Sequence, residues 1–187
     1  MHVKLHPEHH RGRVADLLSQ RCTGSTLLIV VASALLGAVI VDQATKYAAL
    51  AFLSAPSYKV EVTPFFNLRL GFNTGVSFGF LGDVFNNQQW PLIAITIAIA
   101  VALTVWALRV DRLLEAVALA LIAGGAFGNI IDRMRQGAVT DFLDFYAMGW
   151  HWPAFNFADV FICIGAASLV IFSLIPSVKN ETETGET

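Results

Sequence analysis

Residues 124–159, GGAFGNIIDRMRQGAVTDFLDFYAMGWHWPAFNFAD, lie between two long apolar runs, so the stretch starts and finishes inside a membrane. It nevertheless holds four aspartates (Asp132, Asp141, Asp144 and Asp159), two arginines and two asparagines. Ionisable side chains at membrane depth cost on the order of a few kcal/mol unless paired or hydrated, and they mark function by default. Asp141 and Asp159 each stand at the edge of an apolar run. If the chain folds back between those runs, both carboxylates meet at one membrane face.

The rest of the chain fits that setting. Of 187 residues, 56% are apolar and only 14% are charged, where a soluble domain carries roughly 25% charge. The apolar residues gather in a few long runs, as in a multi-span membrane protein. Net charge is −2 with no basic stripe, so no nucleic-acid partner is expected. Cys22 and Cys163 lie far apart, and Cys163 sits in an apolar run, which argues against a disulfide framework or a zinc site.

Four spans are predicted, at about residues 25–53, 91–108, 113–131 and 158–175. The first run is too long for a signal-peptide core and lacks a convincing cleavage site. Within it, Asp42 lies roughly 22 Å beyond Leu27 along the helix axis, close to the far side of the bilayer core. Asp42 and Lys46 are four apart with the acid first, the favourable order for a helical ion pair, and mutual neutralisation is one reading of them. In the third span, Gly124, Gly125 and Gly128 form a small-residue face for close helix packing. Packing does not account for Asn129, Asp132 and Arg133, which share one helical face at its end. At the start of the fourth, Asn156 and Asp159 suit helix capping as well as chemistry.

Between the first two spans, residues 54–90 read as short strands and turns. YKVEV alternates, and prolines and glycines punctuate the segment. FFNLRLGF suits a small sheet at the lipid headgroup level. Asn73-Thr74-Gly75 predicts a tight turn that offers an amide beside the site. GVSFG at 75–79 matches a serine nucleophile elbow, with Asp141 and His151 following in triad order, but that elbow requires a parallel α/β sheet absent here. Residues 1–24 form a polar arm with His2, His6, His9 and His10, read as a solvated tail, and residues 177–187 form an acidic tail read as disordered. LSQRC at 18–22 is not a lipidation motif.

Basic residues set the expected topology. The arm, the 109–112 connection and the tail carry seven lysines and arginines, against five on the other side, two of them in the suspected site. Both termini are therefore expected in the cytoplasm. The small β/loop subdomain, from residues 54–90 and 132–157, is then extracytoplasmic. Asp42, Asn73, Asn129, Asp132, Arg133, Asp141, Asn156 and Asp159 gather at that outer face. A small ion-coupled transporter is the alternative reading, although its site should lie near the midplane between internal repeats. A non-enzymatic assembly factor would leave Asp141 and Asp159 without a role.

DQATK (42–46), NTGVSFG (73–79), GNIIDR (128–133), VTDF (139–142) and FNFAD (155–159) together resemble the lipoprotein signal peptidase (signal peptidase II) family. The likeness runs over about residues 35–175, and five motifs in order make it specific where any one alone is weak. It departs only at the ends, where the arm is long and the tail is the chain's own. The resemblance implies an aspartic endopeptidase of the bacterial cytoplasmic membrane. Such an enzyme removes signal peptides from prolipoproteins, cutting before a diacylglyceryl-modified cysteine. It also implies Asp141 and Asp159 as the catalytic pair. Asp42, Lys46, Asn73, Gly75, Asn129, Asp132, Arg133 and Asn156 are then supporting or substrate-binding residues. Charge and spacing alone would also admit Asp132 to the pair.

No cofactor and no metal are expected, since no His/Cys ligand set is present. The expected partners are lipidated prolipoproteins and membrane lipids, and the chain is expected to act as a monomer. Two carboxylates about 4 Å apart repel by about 4 kcal/mol at an effective dielectric near 20. One is then protonated while the other is ionised. The ionised partner deprotonates a shared water, and the protonated one donates to the developing oxyanion and then to the leaving amine. Arg133 is expected to pair with Asp132 or Asn129 and to order the substrate backbone. The aromatic segment 142–152 is expected to cover the substrate.

Overall fold

Apolar runs of this length are satisfied in lipid only as helices, whose backbone hydrogen bonds close within the segment. The computed structural model describes residues 24–53, 58–75 and 89–174. Four helices in it are long and apolar enough to cross a membrane: α1 (Gly24–Phe52), α2 (Gln89–Ala107), α3 (Leu113–Gln136) and α4 (Phe157–Leu174). The chain is a multi-pass membrane protein, mainly α, with a small antiparallel sheet. The polar arm, the acidic tail and Ser77 of the GVSFG segment lie outside the described residues.

α3 is the axis of the bundle. It contacts each of the other three helices and is mostly buried, whereas they expose Ile29, Ile40, Ile99 and Ile171 on surfaces that lipid would cover. Lipid tails are as apolar as leucine, so close backbone packing rather than hydrophobic burial must hold the helices together. Glycines on α3 and α4 provide it. A Cβ on Gly124 would stand 2.7 Å from the Leu35 carbonyl oxygen of α1, and one on Gly165 would stand 2.5 Å from that of Ala118. Gly125 is pressed in the same way against the Ala158 carbonyl of α4.

α3 runs five residues past the expected end of its span at Ile131, so Asp132 and Arg133 lie within it. The stop is Gly137 in the left-handed region (φ 75°), whose N–H bonds to the Arg133 carbonyl at 3.0 Å. A left-handed glycine after the last turn is what ends the helix, and charge by itself does not.

Four strands follow the order β1 (Lys59–Thr63), β2 (Phe66–Asn73), β3 (Val139–Ala147), β4 (Trp150–His151), all antiparallel. Residues 142–152, expected as a covering loop, form most of the β3–β4 hairpin, turned by Met148 (φ 52°) and Gly149 (φ 80°). Phe142 packs with Ala49 of α1, with Leu53 just past its end and with Phe157 of α4, which seats the sheet on the helix ends. The 155–156 segment is tied to β3, Leu143 and Phe155 exchanging backbone bonds of 2.9 and 3.1 Å. That pairing sets the start of α4 beside the start of β3.

Candidate active site

The site is assembled from five elements, α1, β2, α3, β3 and the start of α4, that converge at one end of the bundle. On α1, Asp42 and Lys46 stand one turn apart and form the expected ion pair at 2.8 Å. Both are almost fully buried, at 0% and 2% exposure, so the pair must be satisfied on every side. Lys46 Nζ donates further to Asn129 Oδ1 at 2.9 Å and meets Asp132 Oδ2 at 3.1 Å, both on α3. Asp42 Oδ1 accepts the Ala158 N–H at 2.9 Å, which binds α1 to the first turn of α4. Gly128 makes this possible: a side chain there would collide with the Asp42 carboxylate.

On α4, Asn156 and Asp159 form a reciprocal cap. The Asp159 N–H donates to Asn156 Oδ1 at 3.1 Å, and the Asn156 N–H donates to Asp159 Oδ2 at 3.2 Å. This is a capping box, which satisfies two otherwise orphaned donors. The capping reading of these residues and their place in the site therefore hold together. Asn156 Nδ2 reaches outward to Asp141 Oδ1 of β3 at 2.7 Å, and Asn129 Nδ2 donates to Asp159 Oδ1 at 3.0 Å. Asp141 and Asp159 are thereby joined through two asparagines.

Burial pushes the Asp141 carboxyl up to about 6, and the neighbouring charge of Asp159 adds to the rise. Hydrogen bonds from Asn156 and Asn73, with the positive charge of Lys46, oppose it. A carboxyl poised near neutrality beside a second carboxylate is suited to moving protons. Asn73 closes the expected turn, its Oδ1 accepting the Gly75 N–H at 2.8 Å. Gly75 adopts φ 84°, and a Cβ there would strike Leu92.

Arg133 departs from expectation. Lys46, rather than Arg133, takes both Asp132 and Asn129, because α1 packs its ammonium directly against that face of α3. Arg133 lies beside Gly75, its charge facing Asp159, Asp141 and Asp132, and its buried Nε has no hydrogen-bond partner. The serine-triad alternative also loses its histidine. His151 Nδ1 bonds to Asp144 at 2.8 Å, and Asp144 also takes Asn67 Nδ2 at 3.1 Å. Burial would raise the Asp144 carboxyl, but hydrogen bonds from His151 and Asn67 outweigh it and hold the group below the ordinary carboxylate range. Three residues along a strand reverse the face, so Asp144 turns to His151 and Asn67, away from Asp141.

Two contributors were not singled out from sequence. Gln43 Nε2 donates to Asp42, Asp132 and the Gly128 carbonyl, each at 3.1 Å. The Thr140 N–H donates to Asp132 Oδ2 at 2.9 Å. Gln43 had one visible signal, an amide next to an acid inside an apolar run. Thr140 had none, since its contribution comes from the backbone.

Residues 34–175 match the family profile described as Signal peptidase (SPase) II. A lipoprotein signal peptidase of Coxiella burnetii (strain Dugway 5J108-111) is 41% identical over 147 residues, covering 75% of this chain and 88% of that one. One from Yersinia pestis (strain Pestoides F) is 50% identical over 132 residues, covering 68% and 77%. Two solved structures, each described as a bacterial membrane enzyme, superpose with TM-scores of 0.66 and 0.65. They are 32% and 30% identical, covering 83% and 90% of this chain and 97% and 99% of theirs.

Proposed function

The chain belongs to the signal peptidase II family, and from that premise we propose that it is an aspartic endopeptidase acting on prolipoproteins. It removes the signal peptide in front of a diacylglyceryl-modified cysteine, with Asp141 and Asp159 as the catalytic pair. The observation that carries this reading is the bridge of Asn156 and Asn129 between the two carboxylates at the end of the spans.

The chemistry is general acid–base activation of water. The ionised carboxylate takes a proton from water as the oxygen adds to the scissile carbonyl carbon, and the protonated carboxyl gives its proton to the carbonyl oxygen. As the C–N bond breaks, the amine takes the proton removed from water rather than one from the acid, since one proton cannot serve both oxygen and nitrogen. The acid recovers its own from the tetrahedral carbon's hydroxyl. Arg133, with a donor to spare, orders the substrate backbone. The exposed Trp150 and Trp152 of the hairpin cover the substrate.

The excess of basic residues on the terminal side supports cytoplasmic termini. The site then opens at the outer face of the bacterial cytoplasmic membrane, where the diacylglyceryl chains remain in the bilayer while the peptide enters between helices. The protein acts as a monomer.

The test is cleavage of a diacylglyceryl-modified prolipoprotein by purified protein in detergent, with the unmodified precursor as control. Wild type should cut only the lipidated form, and Asp141→Asn and Asp159→Asn should cut neither while keeping their helical content. Near-normal activity in either variant would remove that residue from the pair and make Asp132 the next candidate.

A further inference from the structure

Lys46 hydrogen-bonds neither Asp141 nor Asp159, yet it dictates what each of them meets. Its ammonium has three donors and no acceptor, and all three are committed, to Asp42, Asn129 and Asp132 at 2.8, 2.9 and 3.1 Å. The amide of Asn129 therefore has one permitted orientation. Its oxygen must face Lys46, and it also accepts from Asn156 Nδ2 at 3.3 Å. Its nitrogen must then face Asp159, which it does at 3.0 Å.

Asp159 is left with a donor on each oxygen: Asn129 Nδ2 on Oδ1 and the Asn156 backbone N–H on Oδ2. Neither donor can accept a proton in return. Asp159 also occupies the first turn of α4, where the aligned peptide dipoles favour negative charge. Asp141 also accepts from Asn156 and Asn73, but it has no helix terminus of its own and is the more deeply buried of the two. The charged groups around the pair are Asp42 and Lys46 of α1 and Asp132 and Arg133 of α3. Of the two cations, Lys46 is the one bonded to Asn129, whereas Arg133 lies beside Gly75 with its charge facing both carboxylates.

We infer that Lys46 is a positioning residue that, through the forced orientation of Asn129, designates Asp159 as the resident carboxylate and leaves Asp141 to carry the proton. Asp159 is then the base that takes the proton from water, and Asp141 is the acid that protonates the carbonyl oxygen. This rests on the peptidase reading above and orders the roles within it. The rise of the Asp141 carboxyl to about 6 points the same way.

The experiment is an infrared titration of full-length protein in detergent, isotope-labelled at the aspartate carboxyls, across about pH 4 to 8. The protonated-carboxyl band of wild type should vanish in Asp141→Asn and survive in Asp159→Asn, titrating at lower pH because the like charge is gone. The reverse pattern, or a band that survives in both, overturns the assignment. A double variant, Asp42→Asn with Lys46→Met, removes one anion with the cation and frees the Asn129 amide to turn. The acidic limb of its kcat/KM profile should move up by about one pH unit; a folded double variant with both limbs in place refutes the role of Lys46. Both dyad substitutions are near-isosteric, so the assignment is decided even where the double variant does not fold. Cleavage lost in both dyad variants with the band assigned to Asp159 refutes this inference alone, whereas cleavage retained in Asp141→Asn refutes the dyad itself.

Discussion

Asn156 Nδ2 donates to Asp141 Oδ1 across 2.7 Å, joining the cap of the last spanning helix to the first turn of sheet beyond the bundle. The residue that starts α4 is thus the one that holds the neighbouring strand's carboxylate. Helix capping and site geometry cannot be separated here. Asn156→Ala should cost about 1 kcal/mol through the lost cap, while cleavage falls at least about tenfold because Asp141 loses the hydrogen bond that orients it. Thermal unfolding in detergent and cleavage of the lipidated precursor would be compared; equal, small losses in both would reduce Asn156 to a cap.

Asp141 should cost stability when it ionises. Its carboxyl is raised from 3.8 to about 6, so the folded chain binds more protons than the unfolded chain between those values. The stabilisation of the protonated form is complete below about pH 4 and is lost as pH rises through about 6, with a ceiling of about 3 kcal/mol. Asp141→Asn should therefore melt higher than wild type at pH 7.5, the gain vanishing in acid, while cleavage drops at least about 100-fold. A variant no more stable than wild type at neutral pH would contradict the cause assigned to the shift.

Asp144→Asn should show the opposite trend. Its carboxyl is held below the ordinary range by His151 and Asn67, so its contribution is present at neutral pH and is lost as pH falls through the folded value. The variant should melt lower than wild type at neutral pH, with the difference shrinking in acid. At a temperature where both are folded, cleavage should stay within about threefold, against about 100-fold or more for a true acid or base. A collapse of activity without loss of fold would place Asp144 in the chemistry.

Gly128→Ala should separate α1 from α3. The added methyl has no space against the Asp42 carboxylate, and overpacking of this kind costs about 1–3 kcal/mol. Detergent melting should drop, and cleavage should fall with it because Asp42 and Lys46 move together. An unchanged melting temperature would show that the helices can part without cost.

The hairpin tip offers a test of substrate contact. Trp150 and Trp152 are exposed at 73% and 62% and stabilise little by their own packing. Replacing both by alanine should raise KM for the lipidated precursor several-fold with melting nearly unchanged. Unaltered turnover of that precursor would remove the hairpin from substrate recognition.

Much was legible in the residues alone. The four spans follow from apolar runs of bilayer length, because a backbone in lipid must satisfy its own hydrogen bonds over about 20 residues. The Asp42–Lys46 pair and the Asn73–Gly75 turn are local, set by spacing inside one element. The capping role of Asn156 and Asp159 was legible for the same reason.

What the residues could not reveal were partners between elements. Arg133 was expected on Asp132 or Asn129, yet Lys46 of another helix took both. The Asp144 partner of His151 was not foreseen, and Gln43 and Thr140 entered through contacts with no counterpart in spacing. The sequence by itself determined which segments cross the membrane and which polar groups accompany them, because desolvation depends on composition along a segment. Only the tertiary structure decided which donor meets which carboxylate, because that depends on how closely glycine faces let α1 and α4 approach α3.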